Sequence, residues 1–108
     1  MRQKQNTEEE QVIRVRLPRG REVLGVVQQR LGGSRMRVLC LDGRVRICRI
    51  PGRLKRSLWV RSNDIVIIEP WELSSDEKGD VLYKYRRLQA DFLKRNGYLK
   101  KLEEYEEF

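Results

Sequence analysis

Residues 35–50 read "RMRVLCLDGRVRICRI", two runs of alternating apolar and basic side chains on either side of Asp42-Gly43. That dipeptide supplies the positive backbone angles of a two-residue type I′ turn, so the stretch predicts an antiparallel hairpin. With such a turn Leu41 faces Arg44, Cys40 faces Val45, Leu39 faces Arg46, Val38 faces Ile47 and Arg37 faces Cys48. Successive strand side chains point to opposite faces. Met36, Val38, Cys40, Val45 and Ile47 therefore form an apolar set, while Arg35, Arg37, Arg44 and Arg46 share the other face with Leu39 and Leu41. On this register Cys40 and Cys48 point apart, against the converging Cβ vectors that a disulfide needs. It also implies that replacing Arg44 and Arg46 with Ala leaves the fold nearly intact, whereas Cys40→Ser costs stability.

Upstream, "EVLGVVQQRL" (22–31) is rich in strand formers, with Gly25 where a coiled strand wants no side chain, and "GGS" marks the turn into the hairpin. Downstream, "CRIPGRLKRSLW" (48–59) sets Arg49, Arg53, Lys55 and Arg56 around a Pro51-Gly52 corner with no acid among them. "SLWVRSNDIVIIEPW" then gives a short extended stretch, a Ser-Asn-Asp turn, and a run buried on both faces that Glu69-Pro70 ends; "VLYKY" is the fifth strand. From Arg87 to Asn96 the period becomes helical: Leu88, Phe92 and, past the end, Leu99 fall on one stripe, and Gly97 stands where a left-handed cap is expected. The pattern predicts an all-β fold with a small helical appendage: a five-stranded OB-fold barrel followed by a C-terminal helix, closed so that no edge is left open. An SH3-like barrel or a split sheet fits the same pattern. The expected boundaries are a flexible arm at 1–11, the barrel at 12–85, the helix at 86–99 packed on the barrel, and a charged tail at 100–108. Within "VIRVRLP", Ile13, Val15 and Leu17 alternate with Arg14 and Arg16, as in a segment lying extended on the body.

Charge is unevenly distributed. Residues 12–61 hold fourteen Arg or Lys against two acids, a net +12; the remainder holds ten basic and fourteen acidic residues, a net −4, and the whole chain carries +8. Thirteen of those fourteen cations are Arg, whose planar fork pairs with phosphate and stacks on bases, so the expected partner is a nucleic acid. The chain has no histidine, which excludes a Cys/His zinc site and removes the usual general base; no cofactor, metal or catalytic residue is expected, and the chain does not read as an enzyme. Two cysteines read as reduced thiols. The longest apolar run, Ile65–Ile68, is far short of a membrane span, and "MRQKQNTEEEQ" carries no apolar signal segment; the expected location is cytoplasmic.

The motifs then become specific. The "C-x-DG" hairpin with "RICRIPG", the basic loop ending in "LW", and "GDVLYKY" leading to "KRNGYL" together resemble the translation initiation factor 1A family of archaea and eukaryotes, over roughly residues 11–99. The resemblance implies an OB fold that binds the small ribosomal subunit at the decoding A site and promotes initiator tRNA and start-codon selection, with other initiation factors and the initiator tRNA complex as partners. The arm "MRQKQNTEEEQ" and the short tail "KKLEEYEEF" fit the archaeal branch better than the eukaryotic one. The candidate RNA-binding residues are Arg35, Arg37, Arg44, Arg46, Arg49, Arg53, Lys55, Arg56 and Trp59. For Trp59, stacking on RNA and packing in the core are both open, whereas Trp71, Tyr83 and Tyr85 read as packing residues. No aromatic residue occurs from Val12 to Leu58, so the basic face is expected to grip phosphates and RNA shape instead of stacking bases on its strands. That absence also counts against the alternative function, a nonspecific single-stranded RNA chaperone of the cold-shock type. The factor is expected to be a monomer away from the ribosome.

Overall fold

In the computed structural model, which describes residues 15–106, the strands are β1 (Val23–Gly32), β2 (Arg35–Cys40), β3 (Val45–Arg49), β4 (Ile65–Pro70) and β5 (Lys78–Lys84). They close into a barrel in the order β1-β2-β3-β5-β4, with β4 returning to β1. Among the described strands only β3 and β5 run parallel; this is the OB arrangement. Two helices follow, α1 (Arg87–Arg95) and α2 (Lys100–Glu106). The expected arm at 1–11, and Ile13 and Arg14 of "VIRVRLP", lie outside the described residues.

Two apolar clusters hold the fold. Val27, Met36, Val38, Cys40, Cys48, Val66, Ile68 and Val81 fill the barrel. On its outer surface Leu24, Val26, Leu39, Ile67 and Tyr85 are covered by Leu93, Leu99 and Leu102 from the helices and by Val15 from the segment leading into the barrel. That segment is fastened by the Tyr85 hydroxyl, which donates to the Arg16 carbonyl, and by an Arg16–Glu22 ion pair at 3.1 Å. β4 feeds both clusters, which is why its sequence is a continuous apolar run. Backbones approach closely where β1 crosses β2: a Cβ on Gly25 would stand 2.6 Å from Val38 Cγ1 and 3.1 Å from the Leu39 carbonyl.

The hairpin differs from its expected register by one residue. Met36 pairs with Cys48, Val38 with Arg46 and Leu39 with Val45. The Cys40 amide donates to the Arg44 carbonyl and the Gly43 amide to the Cys40 carbonyl, each at 2.9 Å, so the chain turns through three residues, Leu41 to Gly43. Gly43 takes φ +86°, and Asp42 does not take a positive angle. A three-residue turn with glycine in the left-handed position is the next most favoured hairpin connection. Because the side-chain period is two, the one-residue shift turns every β3 side chain over. Val45 and Ile47 move outward, and Arg46 and Cys48 move inward. The two cysteines therefore share the barrel interior as free, buried thiols, and do not point to opposite sides.

The C-terminal part also departs from expectation. Gly97 has φ +82°, and its amide and that of Tyr98 bond back to the Lys94 and Leu93 carbonyls, closing α1 as predicted. Beyond it the chain forms a second helix whose Leu102 is buried, where a charged tail was expected. The covered stripe differs from the expected one: Leu93 is fully buried, while Leu88, expected inside, is 72 % exposed.

Candidate nucleic-acid interface

Loop 51–64 links β3 to β4 and owes its shape to an alternation of anchors and cations. Pro51 (φ −57°, ψ 151°) sets the corner and a short 3-10 turn, Gly52–Leu54, follows. Leu54 and Leu58 pack against the barrel interior and Val60 is buried in it, leaving Arg53, Lys55 and Arg56 exposed between the anchors. Trp59 lies outside the core at 64 % exposure, with the Arg30 guanidinium over its ring at 5.7 Å. Arg30, Arg35, Lys55 and Trp59 surround a depression of about 90 Å³. Arg37 stands on the outer face of β2, its Nη1 donating to Gln29 Oε1 at 3.0 Å. Among the described residues, none of Arg30, Arg35, Arg37, Arg53, Lys55 and Arg56 is within ion-pair distance of an acid. A field of one sign with an exposed indole beside it suits a polyanion that also offers a flat ring.

The other three predicted arginines form a different environment. Arg46, expected on the surface, is 3 % exposed, so its assignment as an RNA contact is corrected. Its Nη1 and Nη2 donate to Asp42 Oδ1 (3.1 Å) and Oδ2 (2.9 Å), and its Nε donates to the Ser75 carbonyl at 2.6 Å. Burial alone would raise the Asp42 carboxyl; the hydrogen bonds from Arg46 and the Arg44 amide outweigh it and hold Asp42 below the ordinary carboxylate range. Burial likewise pushes the Cys40 and Cys48 thiols up, which suits inert packing groups. Arg44 meets Asp76 at 3.3 Å. Arg49 meets Asp80 at 3.4 Å and lies 4.9 Å over Trp71, whose Nε1 donates to the same carboxylate at 2.9 Å. Trp71 is thus a packing residue, as its sequence context suggests.

The structure gathers Arg35, Lys55 and Trp59 around one depression with Arg53 and Arg56 on the same loop, and sets Arg44, Arg46 and Arg49 apart among aspartates. Two contributors escaped the sequence reading. Arg30 was counted as charge but sits across the barrel mouth from Trp59, a contact that no local pattern announces. Lys84, inside "VLYKY", donates from Nζ to the Trp59 carbonyl at 2.8 Å.

Fold and edge define an OB-type barrel with a cationic border, unpaired among the described residues, that carries an exposed tryptophan. The family described as Translation initiation factor 1A / IF-1 matches residues 8–107. A translation initiation factor 1A of Methanococcus maripaludis is 56% identical over 97 residues, covering 88% of this chain and 93% of that protein. The Pyrococcus abyssi factor of the same name is 47% identical over 96 residues, 89% of this chain and 85% of its own length. The chain belongs to the archaeal-type translation initiation factor 1A family. Among solved structures, that of YjeQ from Thermotoga maritima aligns with a TM-score of 0.50 at 19% identity, covering 61% of this chain and 23% of the other, a likeness of fold alone. Among the described residues no helix is long and apolar enough to cross a membrane.

Proposed function

We propose that the protein is a non-enzymatic, cytoplasmic binding factor that docks on small-subunit ribosomal RNA at the A site and there promotes initiator tRNA and start-codon selection. The observation that carries this reading is the acid-free stretch 51–63 of loop 51–64, where Arg53, Lys55 and Arg56 project beside Trp59, with Arg30 and Arg35 at the same depression. Membership of the initiation factor family makes the ribosome the expected bearer of that RNA. Arginines on a projecting loop grip phosphates and read shape, so affinity for unstructured RNA should be weak and nearly independent of sequence. Specificity then comes from a structured RNA pocket into which the Pro51-Gly52 corner carries the cations, and from other initiation factors bound to the same subunit. Sedimentation with purified small and large subunits tests this: co-migration with the small subunit alone supports it. Equal association with any RNA points instead to a nonspecific chaperone.

A further inference from the structure

Trp59 and Val60 make no backbone-to-backbone hydrogen bond among the described residues, although the loop before them is closed on itself from Leu54 to Leu58 and the turn after them is bonded to β1 through Asn63 and Val27. Val60 is held by its burial, and the Trp59 carbonyl is reached by a side chain from β5. Lys84 Nζ donates to the Trp59 carbonyl at 2.8 Å and lies 3.4 Å from Asp64 Oδ2. The same Asp64 oxygen accepts the Arg61 amide at 2.8 Å and so closes the turn that follows. One ammonium thus ties the tryptophan, the downstream turn and the last strand of the barrel together. The Lys84 side chain is 29% exposed and both groups it reaches are within the protein, so it stands behind the cationic edge instead of on it.

We propose that Lys84 is a positioning residue for RNA binding: its ammonium fixes the direction in which Trp59 leaves the barrel. This rests on the RNA-binding reading above. The physical basis is that a loop held at a defined angle does not lose its ordering entropy again on binding, so removing the tie weakens affinity without removing any contact to RNA. The bond is charge-assisted and short, and arginine, which also keeps its charge and donors, should substitute for it.

The test is Lys84→Met alongside Lys84→Arg, with backbone order parameters for Leu58–Arg61 measured in the free protein and affinity measured for the small subunit. The expected result for the parent is a rigid loop near 0.85, and for Lys84→Met a fall below about 0.6 confined to those residues. Small-subunit affinity should drop roughly tenfold in Lys84→Met, the scale of one hydrogen bond to a charged group, and return to within about twofold in Lys84→Arg. A loop that stays ordered in Lys84→Met overturns the proposal, as does a parent loop that is already loose. Weakened binding with an unchanged loop would make Lys84 a direct phosphate contact, which also overturns it. If Lys84→Met lowers order throughout the barrel, Lys84→Gln is measured in its place, and general loss there too overturns the proposal by making Lys84 a fold residue. A parent that fails to bind the small subunit sinks the RNA-binding reading, while the order parameters still decide whether Lys84 holds the loop.

Discussion

At the loop edge Arg53, Lys55 and Arg56 stand between apolar anchors with no carboxylate among the described residues within ion-pair distance, and at the hairpin end Arg44, Arg46 and Arg49 each meet an aspartate. Both regions are written in the same residue type, within a stretch that holds only one acid between Arg35 and Arg61. The difference lies in what the fold brings opposite. Asp76 and Asp80 arrive from beyond β4 and neutralise the hairpin end, while the loop edge faces solvent with its field intact. Like charges left unpaired raise self-repulsion, which a polyanion relieves; paired charges have already been relieved internally. Arginine count alone therefore does not locate the binding surface.

The sharpest way to break this contrast is Arg46→Ala. It leaves the Ser75 carbonyl, and Asp42, itself partly solvated, without their partner and should destabilise the fold by about 1–3 kcal/mol, read by urea unfolding. A two-residue turn, with Arg46 on the surface, makes the same change almost harmless, so a loss under about 0.5 kcal/mol would restore that register. Next in size is the Arg53→Ala, Lys55→Ala, Arg56→Ala triple variant, expected to melt like the parent but to flatten the slope of log affinity against log salt by roughly one unit per lost phosphate contact. If slope and affinity both hold, the loop is solvated surface and the binding site lies elsewhere on the barrel.

Trp59→Ala should weaken small-subunit binding by about 1–3 kcal/mol if a base stacks there, with little change in melting because the ring is already exposed. A large drop in melting temperature would return Trp59 to the core. The smallest effect is in acid. The folded Asp42 carboxyl lies below its unfolded value of about 3.9, so its contribution to stability is present above that pH and is lost as pH falls through the folded value. Asp42→Asn should therefore lower stability at neutral pH and flatten its decline in that acid window, leaving RNA affinity at neutral pH unchanged. Equal acid sensitivity of parent and variant would detach Asp42 from the buried Arg46.

Five strands, the apolar run of β4 and the cap at Gly97 were determined by local sequence, because turn glycines and side-chain periodicity act over a few residues; the order in which the strands close, which separates an OB barrel from a split sheet, came from the fold. The corner at Pro51-Gly52 with its cations was also local, whereas the packing of Leu54, Leu58 and Val60 against the barrel, which leaves those cations exposed, is seen only in the fold. The length of the hairpin turn was not set locally. Asp42-Gly43 serves a two-residue and a three-residue connection alike, and barrel packing selected the one that buries Arg46 and Cys48. Nor could the sequence show which arginines keep their charge for a partner, because a Coulomb interaction depends on distance through space: Asp80 is 31 residues from Arg49 along the chain and 3.4 Å from it in the fold. The same holds for Arg30 over Trp59 and for Lys84 beneath it, contacts that exist only once the barrel closes.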